Sequence, residues 1–114
     1  MNIEIGKKYL LNGENVEVLA CNKDKEVAMV KEADGNLMFI LGNFNVKDGS
    51  IICSNRMSYT VTEKEMLDCI NYYFADSNMD NTSPVDSIIV KAIRNTYYQM
   101  PTYIAEVVAE WYMR

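Results

Sequence analysis

The segment Asp76-Ser77-Asn78-Met79-Asp80 is the closest approach in this chain to an ion-binding pattern. Oxygen-bearing side chains at alternate positions can converge on one cation, and the segment reproduces the first three such positions of a calcium loop. The pattern then fails, because Asn81 stands where glycine is needed and Ser87 where a bidentate glutamate is needed. We therefore predict no metal site and interpret residues 76 to 83 as a polar connection between helices.

Groups that could support catalysis or cofactor binding are sparse. The chain contains no histidine, which excludes a His-dependent triad, a His-ligated zinc and an imidazole pH switch within it. The five glycines are scattered through turns and form neither a dinucleotide-binding motif nor a P-loop. We predict no cofactor and no enzyme activity.

The cysteines favour the same conclusion. Cys21, Cys53 and Cys69 are far apart and form no C-x-x-C pair, so they indicate small buried side chains in a reducing compartment rather than a disulfide framework or a zinc site. An enzyme hypothesis without histidine would draw on Asp, Glu, Tyr, Cys or Lys side chains, and Cys53, which ends a predicted strand before Ser54 and Asn55, is its best candidate nucleophile. No base can be assigned to that thiol.

Composition indicates one globular domain of 114 residues, with 49% hydrophobic and 24% charged residues. No apolar stretch approaches the roughly 20 residues of a membrane helix. Residues 1 to 5 lack the basic end and apolar centre of a signal peptide. We expect a cytoplasmic protein that does not enter a membrane.

The net charge of −5 is unevenly distributed. Residues 1 to 61 carry seven basic and eight acidic side chains, whereas residues 62 to 114 carry four and eight. An acidic surface repels phosphate backbones, which disfavours direct nucleic-acid binding. We interpret the excess as a solvated acidic face on the second half of the chain.

The first half has the pattern of an antiparallel meander. Turn pairs occur at Asn12-Gly13, Asp34-Gly35 and Asp48-Gly49. They separate short strand-like segments, which are residues 9–11, 16–21, 27–31, 37–41 and 51–53, with residues 57–61 as a possible sixth. The five apolar residues from Leu37 to Leu41 require cover on both faces, either by closing a small barrel or by laying helices across a sheet. Gly42 follows directly and suits a bulge.

The start of the chain resembles one known architecture. Gly6-Lys7-Lys8-Tyr9-Leu10-Leu11 leading into Val16-Glu17-Val18-Leu19 is similar to the opening of many small SH3-like barrels. Ribosomal, chromatin, phage and metabolic proteins share that opening. The resemblance therefore implies a fold and carries no function.

The hydrophobic period changes at Thr62, which opens the capping box Thr62-Glu63-Lys64-Glu65. Helix one is predicted from this cap to about Phe74. Helix two is predicted after Ser83-Pro84, because proline is favoured in the first turn of a helix. Helix three is predicted after Pro101, because a proline disfavours helical geometry at the residue before it. The fold class is thus α+β: an N-terminal small β-barrel or strongly bent sheet of five to six strands, packed against three C-terminal helices. We predict one domain, 1–114, with a β-rich half, 1–61, and a helical half, 62–114.

Three tyrosines fall on helix faces that should be exposed to solvent. At 100° per residue, Tyr72 lies opposite the apolar face of helix one, and Tyr98 lies opposite that of helix two, near Lys91 and Arg94. Tyr103 lies on the polar side of helix three. Tyrosine and arginine are enriched at protein interfaces. These five residues are our predicted partner-binding set, although any single tyrosine could instead pack its ring on its own domain.

The leading hypothesis is a small non-enzymatic protein-interaction module that binds another protein through its acidic, tyrosine-bearing helices. Such a module could act as a regulator or inhibitor of that protein. Pairing between exposed tyrosines would also permit a homodimer. The alternative is a nucleic-acid-binding barrel. It would need stacking by Tyr9 or Phe44 beside a basic face formed by Lys7, Lys8, Lys23, Lys25, Lys31 and Lys47. Interspersed glutamates argue against such a face.

Overall fold

The computed structural model describes residues 3–75 and 84–114 and has five strands followed by three helices. The strands are β1 (Lys8–Leu11), β2 (Glu14–Asn22), β3 (Val27–Lys31), β4 (Asn36–Lys47) and β5 (Ser50–Thr62). The helices are α1 (Glu63–Ala75), α2 (Val85–Thr96) and α3 (Thr102–Tyr112). The described residues divide into two compact units, with the boundary between Glu63 and Lys64. That boundary lies one residue beyond the change of period at Thr62.

The strands form a closed barrel in the order β1-β2-β3-β4-β5, which confirms the predicted α+β class with a small barrel. Consecutive strands pair antiparallel, and β5 returns to β1 through one parallel pairing between Leu10 and Ser50. The opening Gly6-Lys7 turn is joined to β2, since the Gly6 amide donates to the Val18 carbonyl at 2.8 Å and the Val18 amide donates to the Lys7 carbonyl at 3.0 Å. The last strand thus pairs with the first, so the sheet closes into a barrel instead of ending in two fully unpaired edge strands.

A single apolar cluster fills the barrel. It takes alternate residues from the strands, as the two-residue period of a strand requires, and Tyr9 is the aromatic residue among its buried members. The Tyr9 hydroxyl accepts a hydrogen bond from the Glu4 amide at 3.0 Å, which satisfies its polar end. The buried members are Ile3, Tyr9, Leu11, Val16, Val18, Ala28, Val30, Met38, Ile40, Val46 and Ile51.

The apolar run from Leu37 to Leu41 belongs to β4 and is buried on both faces. Met38 and Ile40 point into the cluster, whereas Leu37 and Phe39 alternate with them and are fully buried as well. The Phe39 ring meets Tyr59 of β5 edge to face, with ring centroids 5.6 Å apart. Closure of the barrel, one of the two predicted ways of covering such a run, is present and covers the inward-facing Met38 and Ile40.

The bulge predicted at Gly42 is present. The register between β4 and β5 shifts between Leu41 and Phe44, so that two residues of β4 oppose one residue of β5. Gly42 has φ +81°, and a Cβ there would collide with the hydroxyl of Ser54. The Gly42 amide donates to the Glu26 carbonyl at 3.0 Å, which ties the bulge to the β2–β3 turn.

The final strand is longer than predicted. Residues 51–53 and 57–61, expected as two separate strands, belong to the single strand β5. The intervening Ser54-Asn55-Arg56 is polar and reads locally as a turn, but its pairing with β4 continues through Asn55 and Arg56. Five strands are therefore formed, the lower number of the predicted range.

The helical unit has the predicted number of helices. Each helix buries its apolar stripe: Met66 and Ile70 on α1, four residues of α2, and five of α3. Contacts of α1 with the other two helices help to join the unit internally. The Phe74 and Tyr112 rings stack with centroids 6.3 Å apart, and the Cys69 thiol lies 3.3 Å from the Thr96 hydroxyl oxygen.

Proline separates α2 from α3 as predicted. Helix α2 ends at Thr96, and α3 begins at Thr102 directly after Pro101. Pro84 takes the N-cap position of α2; the predicted cap residue Ser83 lies outside the described residues.

No helix within the described ranges 3–75 and 84–114 is long and apolar enough to cross a membrane.

Candidate functional site

The connection between α2 and α3 presents Tyr98 to solvent from a fixed turn. The half-buried Tyr97 closes α2, with its amide donating to the Ile93 carbonyl at 2.7 Å, and the fully buried Met100 donates from its amide to the Tyr97 carbonyl at 2.9 Å. Tyr98 lies between these two anchors and is 73% exposed. It was predicted on helix two, but the helix ends two residues earlier, because the backbone turns to bury Met100.

Tyr97 is the inward-facing neighbour of this exposed tyrosine. Burial raises the pKa of the Tyr97 phenol, and the nearby Cys69 and Glu65 raise that pKa further. Its electrostatic interaction with Cys69 and Glu65 places the α2–α3 turn near the first half of α1. The adjacent tyrosines therefore have different roles, since Tyr97 fixes the turn and Tyr98 is displayed by it.

Arg94, predicted as a contact residue, holds this turn in place. Its side chain is exposed, and its Nε donates to the Met100 carbonyl at 3.2 Å. The bond joins the last turn of α2 to the residue that precedes Pro101. Alanine at position 94 would remove this charge-assisted hydrogen bond to the backbone.

We expect Arg94→Ala to lower the free energy of unfolding by about 1 kcal/mol, the usual net value of such a bond near the surface. Lys91→Ala, one helical turn earlier and also exposed, should change it by less than about 0.5 kcal/mol. Urea unfolding followed by circular dichroism compares the two. Equal stability of both variants would show that the bond to Met100 does not stabilise the turn.

Tyr72 is 80% exposed, more than any other large hydrophobic side chain in the part of the helical unit that the structure describes. It follows Asp68 by one turn on the outer face of α1, and Asp68 is held by Lys64 at 2.7 Å. Its neighbour Asn71 is engaged instead, since the Tyr112 hydroxyl donates to Asn71 Oδ1 at 2.6 Å. Tyr72 therefore stands on a helix that is anchored beside it.

Tyr103 is the second residue of α3 and is 42% exposed. It lies one turn before Glu106 on the polar side of the helix, as predicted. The five predicted contact residues, Tyr72, Lys91, Arg94, Tyr98 and Tyr103, are all exposed in the structure. They belong to four different segments, α1, α2, the α2–α3 turn and α3. Arg94 also forms a hydrogen bond within its own unit, to the Met100 carbonyl.

The barrel carries a separate shallow groove of about 460 Å³. It follows β5 from Ile51 to Arg56 and is bounded on the other side by Leu11 and Asn12 at the end of β1. Cys53, the nucleophile of the enzyme hypothesis, lines this groove and is half-buried against the barrel core. The residues that line the groove include no carboxylate and no lysine that could act as a base for the Cys53 thiol. The groove lining therefore does not form a catalytic pair.

Charged groups cluster at one end of the barrel, a feature missed from the sequence because they come from three separate segments. Burial raises the pKa of Glu32, as do the neighbouring carboxylates Asp34 and Glu14, whereas Arg56 and Ser58 lower it. Arg56 also faces Asn12, whose amide oxygen can accept from the guanidinium at 2.9 Å from Nη2. Arg56 is therefore a cationic neighbour of the Glu32 carboxylate within the barrel unit.

The structure separates the residues needed for the nucleic-acid alternative. Tyr9 is 8% exposed and Phe44 packs on the barrel core, so neither ring is free on a surface. Lys7 pairs with Glu4 at 2.8 Å, and Lys31 pairs with Glu63 at 2.9 Å and Glu17 at 3.7 Å. These carboxylates raise the pKa of both lysines.

The calcium-like segment, residues 76 to 80, and Asn81 lie outside the described residues. Within residues 3–75 and 84–114, no group of three or more His, Cys, Asp or Glu side chains is arranged to hold a metal ion.

Comparison with known proteins returned no match: no family model, curated protein or solved structure is similar to this chain.

Proposed function

We propose that this chain is a small, non-enzymatic protein-interaction module of the cytoplasm, which regulates or inhibits a partner through its helical unit. The observation that carries the proposal is the exposure of Tyr98 and Tyr72, at 73% and 80%. Free cysteines at positions 21, 53 and 69 are consistent with a reducing compartment.

The segments that carry these two tyrosines are fixed by contacts within the helical unit. A tyrosine contributes a large contact area with few rotatable bonds, and a surface fixed before binding loses less entropy on association. The turn that carries Tyr98 is held by the buried Met100 and by the Arg94 bond, and α1, which carries Tyr72, contains the Lys64–Asp68 ion pair and is joined to α3 by the bond from Tyr112 to Asn71. Both rings are therefore suited to act as anchors in a partner's pockets.

The surrounding charge favours a partner with basic groups near those pockets. The helical half carries eight acidic and four basic side chains. Glu65 and Asp68 precede Tyr72 by about two turns and one turn of α1, and Glu106 lies one turn after Tyr103 on α3. Complementary charge would steer association and make its rate depend on salt.

Alanine substitution tests this proposal. Tyr72→Ala and Tyr98→Ala should each weaken binding of the partner about tenfold or more, since anchor tyrosines at interfaces are worth roughly 1–2 kcal/mol or above. Gln99→Ala, in the same turn and exposed, is the matched control and should bind as the parent does. The measurement is quantitative mass spectrometry of proteins retained by immobilised parent and variants, followed by titration of the purified partner.

Folding is checked in the same set by thermal unfolding, because an exposed ring contributes little to stability. All three variants should melt within about 2 °C of the parent. Full retention of the partner by both tyrosine variants would contradict the proposal, as would loss of binding by Gln99→Ala to the same degree.

A further inference from the structure

Asn12 is the one asparagine of this chain that is followed by glycine. In such a pair the glycine nitrogen can attack the side-chain amide carbon of asparagine, because no Cβ on the glycine hinders its approach. The pair forms the exposed turn between β1 and β2, with φ +51° at Asn12 and φ +83° at Gly13. No heavy atom outside the turn lies within 4 Å of the position that a Gly13 Cβ would take. The turn is therefore open to solvent around the attacking nitrogen.

The Asn12 side chain faces the guanidinium of Arg56 on β5. With the amide oriented so that its oxygen meets these donors, Oδ1 accepts from both Nη1 and Nη2, the latter at 2.9 Å. Two donors on one carbonyl oxygen stabilise the negative charge that this oxygen gains when a nucleophile attacks the carbon. Arg56 is the sole arginine among residues 1 to 63. Its guanidinium therefore lies where an oxyanion hole would lie for attack by the Gly13 nitrogen.

We propose that Asn12 is a site of spontaneous intramolecular deamidation, in which Arg56 stabilises the developing oxyanion. The Gly13 nitrogen loses its proton to solvent and forms a bond with Asn12 Cγ. The bond from Cγ to Nδ2 then breaks, and ammonia leaves with a proton taken from solvent. Water opens the resulting five-membered imide at either of its two carbonyls, which yields aspartate or isoaspartate at position 12.

The two products have different consequences for the barrel. An aspartate at position 12 keeps the backbone unchanged and places a carboxylate against Arg56, which forms a charge-assisted pair. An isoaspartate adds one carbon to the backbone of a two-residue turn, which disturbs the pairing of Leu11 with Glu14. Either product adds a negative charge to the wall of the groove beside β5. The groove wall therefore changes its charge without the action of an enzyme.

The turn between β4 and β5 offers a matched comparison. Asp48-Gly49 has nearly the same backbone, with φ +54° and φ +76°, and open space where a Gly49 Cβ would stand. Asp48 precedes β5, and the strand extends over about 20 Å from Ser50 to Arg56, so the guanidinium does not reach this turn. The substitution Asp48→Asn therefore creates a second Asn-Gly turn that lacks the two guanidinium donors.

The test is the rate of ammonia loss at both turns of the Asp48→Asn chain, incubated folded at mildly alkaline pH. Peptide mapping by mass spectrometry separates the two sites and resolves aspartate from isoaspartate. We expect Asn12 to react about three to ten times faster than position 48. This ratio is below that of a buried oxyanion donor, because Arg56 is exposed and also interacts with Glu32. In urea, where the contact with Arg56 is lost, the two rates should become similar.

Arg56→Gln on the same background supplies a second arm. It keeps a polar side chain on β5 but removes the charge and the planar pair of donors. The folded-state rate at Asn12 should fall to that at position 48, while the rate at position 48 stays unchanged. Circular dichroism confirms that the barrel is formed in each chain. The proposal is overturned if Asn12 reacts no faster than position 48 in the folded chain, or if Arg56→Gln leaves the Asn12 rate unchanged or raises it.

Discussion

Replacing Gly42 by alanine should destabilise the barrel by about 2–4 kcal/mol. The backbone at Gly42 has φ +81°, a conformation that costs a residue with a side chain roughly 1–2 kcal/mol. The new methyl group would also collide with the Ser54 hydroxyl. To escape, that hydroxyl must rotate and give up its hydrogen bond to the Leu41 carbonyl, now 3.2 Å long. Urea unfolding measures the sum.

Two controls separate backbone strain from collision. Gly49 has nearly the same angle, φ +76°, with open space where a Cβ would stand, so Gly49→Ala reports the backbone cost alone. Ser54→Ala removes the hydroxyl, and the double variant Gly42→Ala, Ser54→Ala should be more stable than the sum of the single effects predicts. If Gly42→Ala costs no more than Gly49→Ala, the bulge does not bring β4 onto Ser54 as described.

Truncating Ile40 to alanine should cost about 2–5 kcal/mol, the range for large aliphatic residues in a packed core. Ile40 is fully buried in the cluster that fills the barrel. Its neighbours come from several strands of a closed barrel, so the space left by the lost methyl groups cannot collapse without moving paired backbone. Thermal and urea unfolding both report this change.

Ile5 provides the matched control, since it has the same side chain in the same unit and is 48% exposed. Ile5→Ala should change the free energy of unfolding by less than about 0.5 kcal/mol. Similar losses for the two variants would mean that the barrel interior is not packed around Ile40.

Features set by local chemistry could be predicted from the sequence. Asn12-Gly13 and Asp48-Gly49 both adopt positive φ at both positions, as two-residue hairpin turns require. Asp34 accepts from the Asn36 amide at 2.9 Å, which is the usual aspartate turn contact. Pro101 separated two helices for an equally local reason. These signals were sufficient for the order of the elements and for the place where strands give way to helices.

Features set by contacts distant in sequence were missed. Ser54-Asn55-Arg56 looked like a break, yet the ladder from β4 carries β5 through it. Glu26 takes φ +54° without the aid of glycine or asparagine, and its carbonyl is held by Gly42, sixteen residues later. Local sequence patterns around Glu26 do not reveal this hydrogen bond to a residue so much later in the chain.

The candidate site shows the same division. Helical period placed Tyr72 and Tyr103 on exposed faces, because their helices extend through them. It misplaced Tyr98, whose turn depends on the burial of Met100, and it could not show that Arg94 bonds to the backbone there. Tyr98 is nonetheless exposed, because it lies in the turn after α2 and not because of its position on a helix face.

Site-specific photocross-linking in living cells tests most directly whether the helical unit binds a protein. A benzophenone amino acid replaces Tyr98 in one variant and Asp24, in the exposed β2–β3 turn, in another. We expect the label at position 98 to yield a discrete cross-linked product with another protein, which excess parent chain suppresses. We expect none at position 24. Absence of a product at position 98, or an equal product at both positions, would contradict the account.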